Sequence, residues 1–97
     1  MMQPPIVTIV IPTYNHALFL REALCSLCAQ TFTDWEAIVI NNYSEDDTIS
    51  IVASFFDSRI RLENFRNGGN IAASRNKGIA LAQGYYIAFL DSDDTWH

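Results

Sequence analysis

Asp91 and Asp93 stand two positions apart near the end of this 97-residue chain, directly after the apolar run Tyr86-Ile87-Ala88-Phe89-Leu90. Side chains along a strand repeat every two residues, so both carboxylates point the same way and can share one hard cation. Asp94 then faces elsewhere or caps a helix beginning at Thr95. Carboxylates completed by water and phosphate oxygens suit Mg²⁺ or Mn²⁺. Overall charge points in the same direction: six Lys and Arg against eleven Asp and Glu leave a formal charge of −5. An acidic protein that handles a diphosphate needs a cation between the like charges. The same balance, with no basic stripe to follow a phosphate backbone, argues against nucleic acid as a partner.

Two further polar groups follow apolar runs in the same manner, Thr13-Tyr14-Asn15 and Asn41-Asn42. The runs themselves, at 6–12, 36–41, 59–64 and 86–91, have the length and β-rich composition of strands. Helical spacing fills the gaps. Over 17–30, Leu20, Leu24 and Leu27 share a face that suits a helix laid on a sheet. A second helix starts near Asp46 or Asp47 and carries Ile49, Val52 and Phe56 inward. A third runs over 70–83 with Ile71, Ser74 and Gly78 or Ile79 along a face, and Gly84 is placed to cap its end.

Alternating strands and helices predict an α/β fold, a Rossmann-like parallel sheet of about four strands and three helices, with helices on both faces. Right-handed crossovers then fix most of the topology. Ligands of open parallel sheets bind outside the carboxyl ends of the strands. On that edge fall Thr13, Tyr14 and Asn15, then Asn41 and Asn42, then Asp91, Asp93 and Asp94. The length and the 49% hydrophobic content suit one packed unit. A four-stranded sheet leaves its edge strands uncovered, which makes self-association an expectation.

Other chemistry is weaker. Cys25 and Cys28 lie inside the first helical pattern, where a redox pair would sit at a helix N-terminus, and the histidines, His16 and His97, are too few to complete a zinc site. Both are read as reduced, half-buried thiols. The apolar run at 6–11 is too short for a membrane span and carries no secretory flank, which gives the expectation of a cytoplasmic chain.

Four motifs occur in order: Ile11-Pro12-Thr13-Tyr14-Asn15; Gln30-Thr31-Phe32 with Glu36-Ala37-Ile38-Val39-Ile40; Asn67 through Gly78, reading NGGNIAASRNKG; and Tyr86 through Asp94, reading YIAFLDSDD. Together they resemble the successive signatures of family 2 glycosyltransferases of the GT-A type, and they cover nearly the whole chain. The resemblance implies the N-terminal, donor-binding half of a hexosyltransferase domain, spanning 1–97 and stopping before the acceptor-binding half. Such a domain binds a nucleoside diphosphate sugar through Mn²⁺ or Mg²⁺ and transfers the sugar with inversion to an acceptor hydroxyl. It implies polysaccharide biosynthesis and a carbohydrate or lipid-linked acceptor, engaged by a region these residues lack. Location would be cytoplasmic, or at the inner membrane surface through the parent protein or the acceptor.

Carried over by position, Pro12, Thr13 and Tyr14 serve the nucleotide, with the Tyr14 ring against the base. Asp91 and Ser92 lie near the ribose and metal, and Asp93 is the direct metal ligand. Arg75, with Asn76 beside it, bears on the nucleotide or braces the acidic loop. No catalytic base is assigned within the chain, so the 97 residues alone are expected to be inactive. Relatives carry two aspartates, Gly and Ser where this chain has Asn41-Asn42-Tyr43-Ser44. Asn42 offers an acceptor to a base N–H and adds a donor, which favours uracil and hence a UDP-sugar, though less sharply than aspartate. Tyr43 in place of Gly implies a turn without positive φ. The alternative is a non-catalytic nucleotide-binding or assembly module, a remnant or fragment of an enzyme. A receiver domain shares the doubly wound plan, but the polar Thr13-Tyr14-Asn15 occupies the place where its first acidic residues belong.

Overall fold

A computed structural model describes residues 5–90. Its elements follow the expected alternation: β1 (Val7–Thr13), α1 (Ala17–Cys28), β2 (Trp35–Asn41), α2 (Thr48–Ser54), β3 (Ile60–Asn64), α3 (Ile71–Leu81) and β4 (Tyr86–Phe89). All pairings are parallel and the strand order is β3-β2-β1-β4. The chain therefore steps outward from β1 to β2 and β3, then returns to the other side of β1 as β4. The order reverses between β1 and β4, and their carboxyl ends border the crevice where such sheets take ligands.

Two-residue alternation sorts the sheet into two cores. Ile9 and Ile11 of β1, with Trp35, Ala37 and Val39 of β2, face Leu20, Ala23, Leu24 and Leu27 of α1, and Val52 of α2 and Phe55 just after it pack against the same cluster. On the opposite face Val10, Ile38 and Ile40 meet Leu81 of α3 and Phe65. The central strands are buried on both sides, as parallel strands under two helical layers must be.

Small residues set the approach of α3. Ser74 and Gly78, one turn apart, are its buried positions, while Ile71 and Ile79 are exposed. The expected face thus holds at Ser74 and Gly78 and fails at the two isoleucines, because the helix sits too close to β1 to admit large side chains there. Asn70 caps its start, accepting from the Ala73 N–H.

Gly84 does not cap the helix. That end is Ala82 in an extended conformation (ψ 138°), and a β-carbon on Gly84 would stand 2.7 Å from the Thr8 amide nitrogen. Close passage of backbone past β1 is what requires glycine here. The Gly84 N–H donates to Thr8 Oγ1 at 2.9 Å, and Thr8 Oγ1 donates to Glu36 Oε2 at 2.6 Å.

Two other expectations are corrected. In α2, which is only seven residues long, Thr48 is the buried position and Phe55 packs on the core, whereas Ile49 is exposed and Phe56 is 95% exposed. Phe56 lies beyond the last helical turn with φ +48°, so helical spacing no longer places it. Cys25 and Cys28 are exposed, not half-buried, because the buried stripe of α1 runs through Leu20, Ala23, Leu24 and Leu27. Partial loss of water around the sulfur and the nearby Asp57 carboxylate raise the Cys28 thiol above its ordinary value, with Arg59 opposing them.

Candidate donor-binding site

The carboxyl ends of β1, β2 and β3 are joined by short polar side chains. Asn41, 1% exposed at the end of β2, accepts from the Ser44 N–H at 3.0 Å and from Ser44 Oγ at 2.6 Å, and donates from Nδ2 to Asn64 Oδ1 at 3.0 Å. Ser44 Oγ accepts in turn from the Asn15 N–H at 3.0 Å, and Asn15 Oδ1 accepts from the Glu45 N–H at 2.7 Å. These bonds fasten the loop after β1 to the loop after β2. Asn15 holds φ +53°, a conformation that asparagine tolerates better than most residues.

Asp46 ties two helix starts to that edge. Its carboxylate accepts from the Ala17 N–H at 3.0 Å and from Thr48, at 3.1 Å from the amide and 2.5 Å from the hydroxyl. Burial pushes the Asp46 carboxyl up, but the bonds from Thr48 and Ala17 outweigh it and hold the group below its usual 3.8. The acidic residue expected at the start of α2 is thus present, although it serves both helices.

Of the proposed nucleotide residues, Thr13 closes β1 and is 5% exposed, and its Oγ1 has no hydrogen-bond partner among the described residues. Pro12 precedes it, half-buried. Tyr14 is 50% exposed at the mouth of the crevice, so its ring is available to a ligand. Asn42 follows β2, half-buried, with its N–H donating to the Thr13 carbonyl at 3.0 Å. Its Oδ1, expected to face a base, accepts from the Asn67 N–H at 3.1 Å.

Arg75 of α3 is half-buried, with its guanidinium 5.9 Å from the centroid of the Phe89 ring in β4. That contact brings a cation to the strand end from which the chain enters Asp91. Asp91, Ser92 and Asp93, the acidic loop of the sequence reading, lie outside the described residues. Among the described residues no three His, Cys, Asp or Glu side chains come together as a metal site.

Sequence reasoning missed the turn after Asn42. Tyr43 has φ +48°, contrary to the expectation of an ordinary turn, and the Arg66 guanidinium lies 4.7 Å from its ring centroid. A contact with a residue on another loop compensates a conformation that local sequence disfavours. Asn67 was legible only as part of a motif. In the structure it spans two elements, accepting from the Gly69 N–H at 2.8 Å and donating from Nδ2 to Ser74 Oγ at 2.8 Å.

The opposite, amino-terminal edge holds a different cluster. Arg59 lies 4.0 Å from the centroid of the Trp35 ring and pairs with Asp57 at 2.6 Å. The bond from Arg59 keeps the Asp57 carboxyl below its usual 3.8 against the effect of burial. Among the described residues no helix is long and apolar enough to cross a membrane.

Known proteins share this fold. The chain is 38% identical over 95 residues to the UDP-Glc:alpha-D-GlcNAc-diphosphoundecaprenol beta-1,3-glucosyltransferase WfgD of Escherichia coli, covering 98% of this chain and 38% of that protein. S. aureus TarS 1-349 in complex with UDP-GlcNAc superposes with a TM-score of 0.85 at 29% identity, over 93% of this chain and 27% of TarS 1-349. The mannosyltransferase PcManGT from Pyrobaculum calidifontis, in complex with GDP-Man and Mn²⁺, gives 0.84 at 26% identity, over 98% of this chain and 29% of its own. The chain thus spans less than two fifths of the length of these relatives. Glycosyl transferase family 2 matches across residues 8–97, and the parallel four-stranded sheet with its three helices belongs to the same GT-A architecture: this chain belongs to glycosyl transferase family 2.

Proposed function

We propose that this chain forms the donor-binding part of an inverting, metal-dependent glycosyltransferase. It takes a nucleoside diphosphate sugar with a pyrimidine base in the crevice where β1 and β4 diverge. The observation that carries this reading is the reversal of strand order at β1, with Tyr14 exposed at its carboxyl end and Arg75 reaching the end of β4. Complexes of relatives with UDP-GlcNAc and with GDP-Man and Mn²⁺ support the ligand class.

The residues divide the ligand between them. Tyr14 offers an aromatic face to the base, and Asn42 at the next strand end meets the base edge. Asp91 and Asp93 hold the divalent cation, whose oxygen ligands are completed by the diphosphate. When bound, the cation supplies charge neutralisation between an acidic chain and an acidic ligand. Arg75 adds a positive charge at β4, the strand that leads into Asp91 and Asp93. The acceptor, a carbohydrate or a lipid-linked sugar, and the base that deprotonates it are assigned to residues other than these.

A thermal-shift panel tests the reading. UDP with Mn²⁺ should raise the melting midpoint, since a ligand held only by the folded state stabilises it by about 2.7 kcal/mol at a hundred times its Kd. Uridine without phosphates should leave the midpoint unchanged. A chain whose midpoint is unmoved by every nucleoside diphosphate, with or without Mn²⁺, would not be a donor-binding unit.

A further inference from the structure

We propose that Asn42 meets the donor base with its amide NH₂ and not with its oxygen, so that the site reads an acceptor atom and does not reject cytosine. This rests on the donor-binding reading above and adds how the base is chosen.

The starting point is the Asn67 N–H, which donates to Asn42 Oδ1 at 3.1 Å. A backbone N–H can only donate, so turning the Asn42 amide over would set two donors against each other. The amide orientation is therefore fixed by the main chain of another loop. That loop is itself held. Asn67 is anchored by its bond to Ser74 Oγ, a fully buried hydroxyl on α3, and by the Gly69 N–H. Gly68 and Gly69 hold φ +63° and +83°, a path that side chains would strain.

The two loops are also joined on either side of this bond. Asn41 pairs with Asn64, the Phe65 N–H donates to the Asn41 carbonyl at 2.9 Å, and Arg66 covers Tyr43. The donor that occupies Asn42 Oδ1 thus has little freedom to withdraw. Oδ1 is taken by the Asn67 N–H, and no described residue accepts from Asn42 Nδ2, so among the described residues the NH₂ is the uncommitted end of the side chain.

Base chemistry follows from that polarity. Uracil presents an N–H between two carbonyls, whereas cytosine has an unprotonated ring nitrogen next to a carbonyl. An NH₂ can donate to a uracil carbonyl or to the cytosine ring nitrogen or carbonyl, and gains about the same from each. A carboxylate at this position would keep the Asn67 bond through one oxygen and present the other as an acceptor. It would welcome the uracil N–H and repel the cytosine nitrogen. Asn42→Asp therefore exchanges a donor for an acceptor with almost no change of shape.

Calorimetric titration of UDP, CDP and GDP in Mn²⁺ against the parent chain, Asn42→Asp and Asn42→Ala tests the assignment, with melting curves to establish that each is folded. The parent is expected to bind UDP and CDP within about threefold of each other, less than one neutral hydrogen bond would separate them. Asn42→Asp should shift the ratio about tenfold towards UDP, and Asn42→Ala should weaken both nucleotides by a similar factor. A parent that favours UDP over CDP by more than tenfold would show that the oxygen reads the uracil N–H. An unchanged ratio in a folded Asn42→Asp, or an unchanged affinity in Asn42→Ala, would remove Asn42 from base recognition while the donor site stood. If the parent bound GDP but neither UDP nor CDP, this assignment would fail while the donor site stood; if it bound no nucleoside diphosphate, the donor-binding reading would fail as well.

Discussion

Gly78 of α3 lies against Val10 of β1 so closely that a β-carbon on the glycine would overlap Val10 Cγ1 and stand 2.8 Å from Cγ2. Val10 is fully buried on the central strand between β2 and β4. Gly78→Ala should therefore destabilise the fold by about 1–3 kcal/mol through overpacking, although alanine is favoured over glycine inside a helix by about 1 kcal/mol. Denaturant unfolding measures the change. Val10→Ala in the same chain should recover part of the loss, and a Gly78→Ala variant more stable than the parent would contradict the packing.

The Asp46 carboxylate connects the start of α1 to the start of α2, and its folded value lies below the ordinary 3.8. A depressed carboxyl contributes stability above its unfolded value and loses it as pH falls through the folded one. Asp46→Ala should then lower stability by about 1 kcal/mol or less at neutral pH, given how exposed the group is. The gap between variant and parent should narrow as pH falls below the ordinary 3.8. Melting curves across that range would refute the linkage if the difference were the same at both ends.

Order and topology were legible because they rest on periodicity. Runs such as Ile9-Val10-Ile11 and Ile38-Val39-Ile40 are apolar on both sides, which only a strand between two helical layers needs. Legibility failed where a short element or a distant contact decided the outcome. In α2, fewer than two full turns from the buried Thr48, no periodic signal separates Ile49 from Val52 or Phe55 from Phe56. Glycine at 84 answered a backbone approach to Thr8, 76 residues away, and not the end of its own helix. The positive φ of Tyr43 and the amide orientation of Asn42 depend on Arg66 and Asn67, across a loop that local sequence does not see.

Tyr14 is half-exposed at the end of β1 with its ring open to a ligand. Tyr14→Ala should weaken UDP binding by about 1–3 kcal/mol, the range for stacking of a base on an aromatic ring. Tyr14→Phe should keep affinity within about threefold of the parent, because the ring and not the hydroxyl carries the contact. Calorimetry on both variants decides the matter. An equal loss in both would assign the role to the hydroxyl.

Asp91, Asp93 and Asp94 lie outside the described residues, and the two-residue repeat of a strand predicts that Asp93 and not Asp94 shares a face with Asp91. Mn²⁺ affinity measured with UDP present should fall at least tenfold in Asp93→Ala and much less in Asp94→Ala. Equal losses in the two variants would refute that geometry.

The central claim is a location: a nucleoside diphosphate sits at the carboxyl edge of the sheet, between the ends of β1 and β4. Titrating UDP with Mg²⁺ into ¹⁵N-labelled protein and following amide shifts tests it most directly, since every backbone N–H reports its own surroundings. Shifts should concentrate at Tyr14, Asn15, Asn42, Asn67 and Leu90. Asp57 and Arg59, at the amino-terminal edge, should stay in place. Saturable shifts centred on Asp57, Arg59 and Trp35, with Tyr14 and Asn42 unmoved, would put the ligand on the wrong edge and contradict the account.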